Sequence, residues 1–274
     1  EQMVLGETPN IASRIQSVAD PDTIVISATT YQLVQGVFEC RDLGPQTLRG
    51  VSAPLQAYQV LGESGAQSRF EMAAATGLTP LIGREDEVAT LLACWQTAQA
   101  GAGQVGLVSG EAGIGKSRLV QVLKEHLKEH LAGEAPRKLE CHCSPYYRNS
   151  AFYPVIAFLQ RFLKFTAELA PQAKLQVLDR TLGQYGFDTQ EAVPLVAALL
   201  SVPTFDHYPP LTLTAQLQRQ KTLALLLAWI LKEAEQQPVC FVWEDLQWAD
   251  PSTLELLSLL IEQAHTTRLL LLLT

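Results

Sequence analysis

The chain has 274 residues, 47% hydrophobic and 18% charged, a core-forming composition of a size that suggests about two domains and excludes a disordered chain. Lys and Arg number 20 against 28 Asp and Glu, a net charge of -8, which argues against direct nucleic-acid binding because that needs basic surface. The longest apolar runs, Thr222 to Leu231 and Leu269 to Leu273, fall short of the roughly 20 residues that span a bilayer, so no membrane association is expected.

Ile11, Ile15 and Val18 recur at helical spacing, and Pro21-Asp22 ends that helix. Thr23 to Ser27 is short and β-branched, a strand, and Ala28 to Gln35 is a second short helix stopped by Gly36. Phe38 to Leu43 and Pro54 to Leu61 read as two more strands, with a turn at Gly44-Pro45 and a bend at Arg49-Gly50. Sixty residues of this kind bury little surface alone. Residues 62–79 are small and polar without an apolar period and read as a linker. Beyond it, strands alternate with helices. Val88, Leu91, Leu92 and Trp95 mark a helix, Gln104 to Ser109 a strand, Leu119, Leu123 and Leu127 a helix, and Arg137 to Cys141 a strand. A long, mainly helical insertion follows, its clearest stripe being Val155, Phe158, Leu159 and Phe162. Val239 to Trp243 and Arg268 to Leu273 are almost wholly apolar, the pattern of buried parallel strands. The expected architecture from residue 80 to 274 is therefore α/β, a parallel sheet with helices on both faces.

The cysteines, Cys40, Cys94, Cys141, Cys143 and Cys240, are scattered and odd in number, which suits reduced thiols of a cytosolic, cytoplasmic protein. Cys141-His142-Cys143 invites a zinc reading, but no second ligand pair follows. His126 and His130 lie four apart without the glutamate placement of a zinc protease and read as a solvated helix face. The chain opens Glu1-Gln2-Met3 without a basic start, so no signal peptide is read, and the sequence is taken as a piece of a longer protein.

Gly110-Glu111-Ala112-Gly113-Ile114-Gly115-Lys116-Ser117 fits G-x-x-x-x-G-K-[ST] without a mismatch, after an apolar strand and before a helix. Four fixed positions give about a 1% chance match in such a chain, and the strand–helix context lowers that further. The glycines let backbone N–H groups turn inward on phosphate oxygens, and the helix N-terminus adds positive potential. Lys116 would reach the β- and γ-phosphates and Ser117 would ligate Mg2+. At the end of the strand Val239 to Trp243 stand Glu244 and Asp245. A buried strand should not end in paired acids unless that edge faces a site. By position Glu244 takes the metal role and Asp245 orients or deprotonates water.

Together with Pro80-Leu81-Ile82-Gly83-Arg84-Glu85-Asp86-Glu87 and Gln247-Trp248-Ala249-Asp250-Pro251-Ser252-Thr253, these motifs resemble the ATPase module of the AAA-like/STAND signalling NTPases over residues 80 to 274. The resemblance implies ATP with Mg2+, Gly83 and Arg84 near the adenine, and a polar sensing residue at Thr274. It also implies that the last strand and helical lid of such modules lie beyond Thr274. Asp250-Pro251 reads as a helix start, Asp as cap and Pro in the first turn.

Gly6-Glu7-Thr8-Pro9-Asn10-Ile11-Ala12-Ser13-Arg14, with Val25-Ile26-Ser27 and Leu43-Gly44 to Leu48-Arg49-Gly50, resembles the C-terminal part of a class III nucleotide cyclase domain, covering residues 1–61. That implies a partial ferredoxin-like α+β fragment and a nucleoside triphosphate substrate. It further implies a second cyclase domain as dimer partner. Asn10 would orient the ribose and Arg14 would stabilise phosphate charge in the transition state. Where the family carries the Asp or Thr that bonds the base stands Met3, which cannot make that contact. The family's metal-binding aspartates lie upstream, so the chain alone is not expected to cyclise nucleotide. Three readings stay open: a cyclase regulated by a fused ATPase in intracellular signalling, a STAND-type ATP switch or transcriptional regulator with an inactive cyclase-like domain, and an ATP-binding scaffold without hydrolysis.

Overall fold

A computed structural model describes residues 7–34, 38–48, 54–63, 81–129, 137–166, 168–204 and 207–274. The chain divides into two compact units, Glu1–Pro80 and Leu81–Thr274. Met3, Gly6, Arg49, Gly50 and His130, and nearly all of the linker read at 62–79, lie outside the described residues.

The first unit runs α1 (Glu7–Ile15), a short 3-10 turn (Gln16–Val18), β1 (Ile24–Ser27), α2 (Ala28–Val34), β2 (Phe38–Gln46) and β3 (Leu55–Glu63). The strands form an antiparallel sheet in the order β1-β3-β2. Ser27 ends β1 and starts α2 at once, since its hydroxyl accepts from the N–H of Thr30 at 3.2 Å, satisfying a helix-start donor. Tyr31 of α2 stacks on Tyr58 of β3 with ring centroids 4.0 Å apart, which fixes helix to sheet.

The expected turn at Gly44-Pro45 is not there. Strand β2 continues through both residues to Gln46, with a register shift between Asp42 and Gly44. Gly44 takes φ +73°, and its N–H donates to Asp42 Oδ1 at 2.7 Å. The dipeptide that looks like a turn is a β-bulge, and Pro45 is tolerated because β2 lies at the sheet edge.

The second unit begins with α3 (Glu85–Gln99), whose first turn carries Glu85, Asp86 and Glu87 against the positive end of the helix dipole. Then come β4 (Gln104–Leu107), α4 (Lys116–Glu129), β5 (Arg137–His142), α5 (Tyr153–Phe162), α6 (Pro171–Gln184), α7 (Thr189–Leu199), α8 (Ala215–Gln236), β6 (Val239–Glu244), α9 (Pro251–Ala264) and β7 (Leu269–Leu273). The sheet is parallel throughout, in the order β4-β7-β6-β5. Strand alternation divides its side chains between two cores. Val239, Phe241 and Trp243 of β6, with Leu269, Leu271 and Leu273 of β7, pack with residues from α5 to α9. Cys240, Val242, Leu270 and Leu272 point the other way, toward Leu91 and Trp95 of α3 and Leu119, Val120 and Leu123 of α4. Both faces of these strands are buried, which explains why β6 and β7 read as continuous apolar runs. Gly103, just before β4, allows the end of α9 to approach closely: a Cβ there would lie 2.0 Å from the carbonyl oxygen of Ala264. Among the described residues no helix is long and apolar enough to cross a membrane.

Candidate nucleotide site

The loop between β4 and α4 opens at the C-terminal edge of the sheet. Val108 N–H still pairs with Leu273 O of β7 at 2.8 Å, so the loop springs from a fixed point. Gly113 and Gly115 then take φ +82° and +100°, with open space where a Cβ would stand. Backbone conformation rather than crowding therefore demands glycine at both. Residues 111 to 115 are exposed, and Leu119 N–H returns to Gly115 O at 3.0 Å to start the α4 ladder. The Lys116 ammonium folds over the loop, donating to Gly110 O at 3.0 Å and Glu111 O at 3.1 Å. A lysine held by two carbonyls of an exposed glycine loop at a helix start has the composition of an anion-binding loop. Ser117 follows in the first turn of α4.

Glu244 ends β6 and is 4% exposed. It keeps the alternation of Cys240 and Val242, so its carboxylate lies on the α4 side of the sheet, the side where the loop ends. Its Oε1 stands 3.6 Å from Lys124 Nζ of α4. Asp245 leaves the strand in the left-handed region at φ +62° and is exposed, accepting at Oδ1 from Gln247 Nε2 at 3.0 Å. The two acids diverge because the backbone turns sharply between them: one is buried beneath the loop's helix, the other reaches solvent. Thr274, just beyond β7, clamps this turn. Its N–H donates to Trp243 O and its carbonyl accepts from Leu246 N, both at 2.9 Å, while its hydroxyl accepts from Asp245 N at 3.4 Å.

Gly83 and Arg84 stand at the start of α3. Gly83 N–H donates to Glu85 Oε1 at 3.2 Å, and the Arg84 guanidinium pairs with Glu87 at 2.8 Å, so both are engaged by their own helix turn. Asn10 and Arg14 lie four apart on α1 in the first unit, Asn10 exposed and Arg14 half-buried; that spacing puts them on one face.

Two features were not read from the sequence. Lys124 Nζ donates to Glu140 Oε2 of β5 at 2.6 Å, and His142 Nε2 is 3.9 Å from the same carboxylate. Burial pushes the Glu140 carboxyl up, but His142 and the Lys124 ammonium outweigh it and hold it down at about 2. The signal was a lysine on the buried stripe of α4, between Leu123 and Leu127. The second is a further contact of the cap residue Asp250, 1% exposed. The residue caps α9 as expected, Oδ1 accepting from Ser252 N at 2.9 Å and Thr253 N at 3.1 Å, but it also accepts from Phe152 N at 3.1 Å. That contact joins the start of α9 to the start of α5 across 98 positions of sequence, and no local pattern announces it.

The donor set suits a magnesium–nucleotide. Ser117 and Glu244 offer hard oxygen, and among the described residues no group of three or more His, Cys, Asp or Glu is placed to hold a metal alone.

Residues 2–62 match the adenylate and guanylate cyclase catalytic domain. An uncharacterized protein of Rhizobium meliloti (strain 1021) is 26% identical over 258 residues, 93% of this chain. The chain spans only 24% of that relative's length. The crystal structure of the adenylyl cyclase CyaB from P. aeruginosa shares 36% identity over 24% of this chain and 34% of its own, with a TM-score of 0.23. Residues 80–273 match the AAA ATPase domain, and by that match over most of its length the chain belongs to the AAA ATPase family, preceded by the segment that resembles a cyclase catalytic domain.

Proposed function

We propose that residues 80–274 bind ATP with Mg2+ and hydrolyse it, and that in the longer protein this step controls a class III nucleotide cyclase to which residues 1–61 belong. The observation that carries the reading is the pairing of an exposed glycine loop, closed by the Lys116 ammonium, with a buried carboxylate, Glu244, on the same side of the sheet. Gly110, Glu111, Ala112, Gly113, Ile114 and Gly115 would present backbone N–H groups to the phosphates. Lys116 would leave its two carbonyls for phosphate oxygens, a stronger charge-assisted contact. Ser117 and Glu244 would hold Mg2+, which supplies neutralisation of charge on the phosphates. Asp245, exposed and turned away from Glu244, would orient or deprotonate the attacking water. Thr274 would sense the γ-phosphate through the Asp245 turn, which its hydroxyl touches. Gly83 and Arg84 would flank the adenine once Arg84 exchanges Glu87 for the base. In the cyclase half, Asn10 would orient the ribose and Arg14 would stabilise phosphate charge in the transition state, with a second cyclase domain as partner and a cytoplasmic setting for the whole. Met3 favours a second reading, an ATP-driven switch whose cyclase-like half no longer cyclises, because methionine offers the base no hydrogen bond.

Calorimetric titration of the chain with Mg2+-ATP tests this. Lys116→Ala should abolish binding, Glu244→Gln should weaken it mainly when Mg2+ is present, and Asp245→Asn should leave ATP bound while stopping phosphate release. Unchanged Mg2+-ATP binding by Lys116→Ala would refute the reading.

A further inference from the structure

Lys124 is a buried lysine in the second turn of α4 beyond Ser117, its side chain only 11% exposed. It lies between two carboxylates on neighbouring strands: Glu140 at 2.6 Å and Glu244 at 3.6 Å, their side chains 27% and 6% exposed. The ladder pairs Glu140 with Val242 and His142 with Glu244, so the two acids sit diagonally on the α4 side of the β5–β6 pair. A carboxylate as enclosed as Glu244 calls for a cationic partner, and Lys124 stands beside it. The phosphate-loop lysine, Lys116, is turned to loop carbonyls instead. The two contacts of Lys124 are unequal. It is hydrogen-bonded to Glu140 but only in ionic contact with Glu244, so it can release Glu244 without losing its anchor.

We propose that Lys124 is the built-in counter-ion of Glu244, a positioning residue that holds this carboxylate while no divalent cation is bound and yields it to Mg2+ arriving with the nucleotide. The inference rests on the nucleotide reading above. Its consequence is competition: two cations seek one carboxylate, so Lys124 weakens Mg2+ at this site and discourages metal binding before nucleotide. Glu140 keeps the displaced ammonium paired, which makes the exchange reversible. A purely structural lysine would do the opposite, since losing it would disorder Glu244 and weaken Mg2+.

The test is the ratio of affinities for a non-hydrolysable ATP analogue in excess Mg2+ and in EDTA, measured calorimetrically on the 274-residue chain. Lys124→Met should raise that ratio about tenfold or more, since it removes a unit charge beside a carboxylate in a site drier than bulk water. Lys124→Arg, which keeps the charge, should retain the parent ratio. Mg2+ without nucleotide should raise the melting temperature of Lys124→Met more than that of the parent, and adding Glu244→Gln should cancel this gain. If Lys124→Met does not fold, Lys124→Met with Glu140→Gln removes the anchor's charge as well and carries the same expectation. A ratio unchanged or lowered in the folded variant overturns the proposal. If the parent binds no nucleotide, the nucleotide reading fails; the melting comparison with Mg2+ alone then still decides whether Lys124 competes for Glu244.

Discussion

Asp250 offers the sharpest test of how the site is held. Its carboxyl group accepts from Ser252 N, Thr253 N and Phe152 N at one oxygen and from the Thr253 hydroxyl, 2.5 Å away, at the other. All of this is buried. Asp250→Ala removes a helix cap, worth about 1 kcal/mol, and strands the Phe152 N–H and the Thr253 hydroxyl, about 1–3 kcal/mol each. Water entering the vacated space would recover part, leaving a loss of about 3–5 kcal/mol. Asp250→Asn keeps the oxygen that serves the backbone donors and turns an NH2 toward Thr253, whose hydroxyl can rotate to accept it, so the loss should be about 1 kcal/mol. Urea unfolding followed by tryptophan emission reads this cleanly, because Trp95, Trp229, Trp243 and Trp248 all lie within Leu81–Thr274. A shifted midpoint with unchanged slope gives the stability difference. If Asp250→Ala lies within about 1 kcal/mol of the parent, or Asp250→Asn is equally damaging, the account of a single carboxyl tying α9 to α5 is wrong.

The thiols and Glu140 supply two further expectations. Burial, with the Asp250 and Asp245 carboxylates nearby, pushes Cys143 up to about 12. Burial alone dominates at Cys240, also about 12, and at Cys141, raised well above its ordinary value. At pH 8 such thiols are about one part in ten thousand thiolate, so Ellman's reagent should react promptly only with half-buried Cys40 and Cys94 and with all after unfolding. A third prompt thiol in the folded chain would contradict the burial. Glu140, held at about 2 against an ordinary 4.5, contributes stability that is fully present above pH 4.5 and is lost as pH falls toward 2, with a ceiling of about 3 kcal/mol. The urea midpoints of the parent and Glu140→Gln should therefore differ by a constant amount down to about pH 4.5 and converge below it; a pH-independent gap would refute the assignment.

What the sequence disclosed followed from periodicity. Continuous apolar runs at β6 and β7 could only be strands buried on both faces, and the phosphate loop carried its own context of strand and helix. The reading failed where a local signal had a nonlocal answer. Gly44-Pro45 has the composition of a turn, but β3 supplies a partner along the whole of β2, and a bulge with Gly44 at positive φ lets the strand pass through. Turn chemistry decides a conformation only when no neighbouring strand competes for the backbone.

The candidate site shows the same division at finer scale. Paired acids after an apolar strand were legible as a unit, but their opposite surroundings were not, because these depend on the left-handed turn at Asp245 and on Thr274 closing it. That turn gives two adjacent carboxylates different surroundings: Glu244 faces a buried lysine, while Asp245 faces solvent. Lys124 was hidden for a related reason. Its neighbours Leu123 and Leu127 mark the stripe as apolar, and a lysine there reads as a surface residue at the stripe's margin. Only the ladder, which sets Glu140 and Glu244 on the α4 side, turns it into a buried cation with two acids to satisfy. A charged residue on the buried face of the helix after a phosphate loop is therefore a sequence feature to pursue, because the adjacent strands end in carboxylates and the low-dielectric interior obliges the charges to meet.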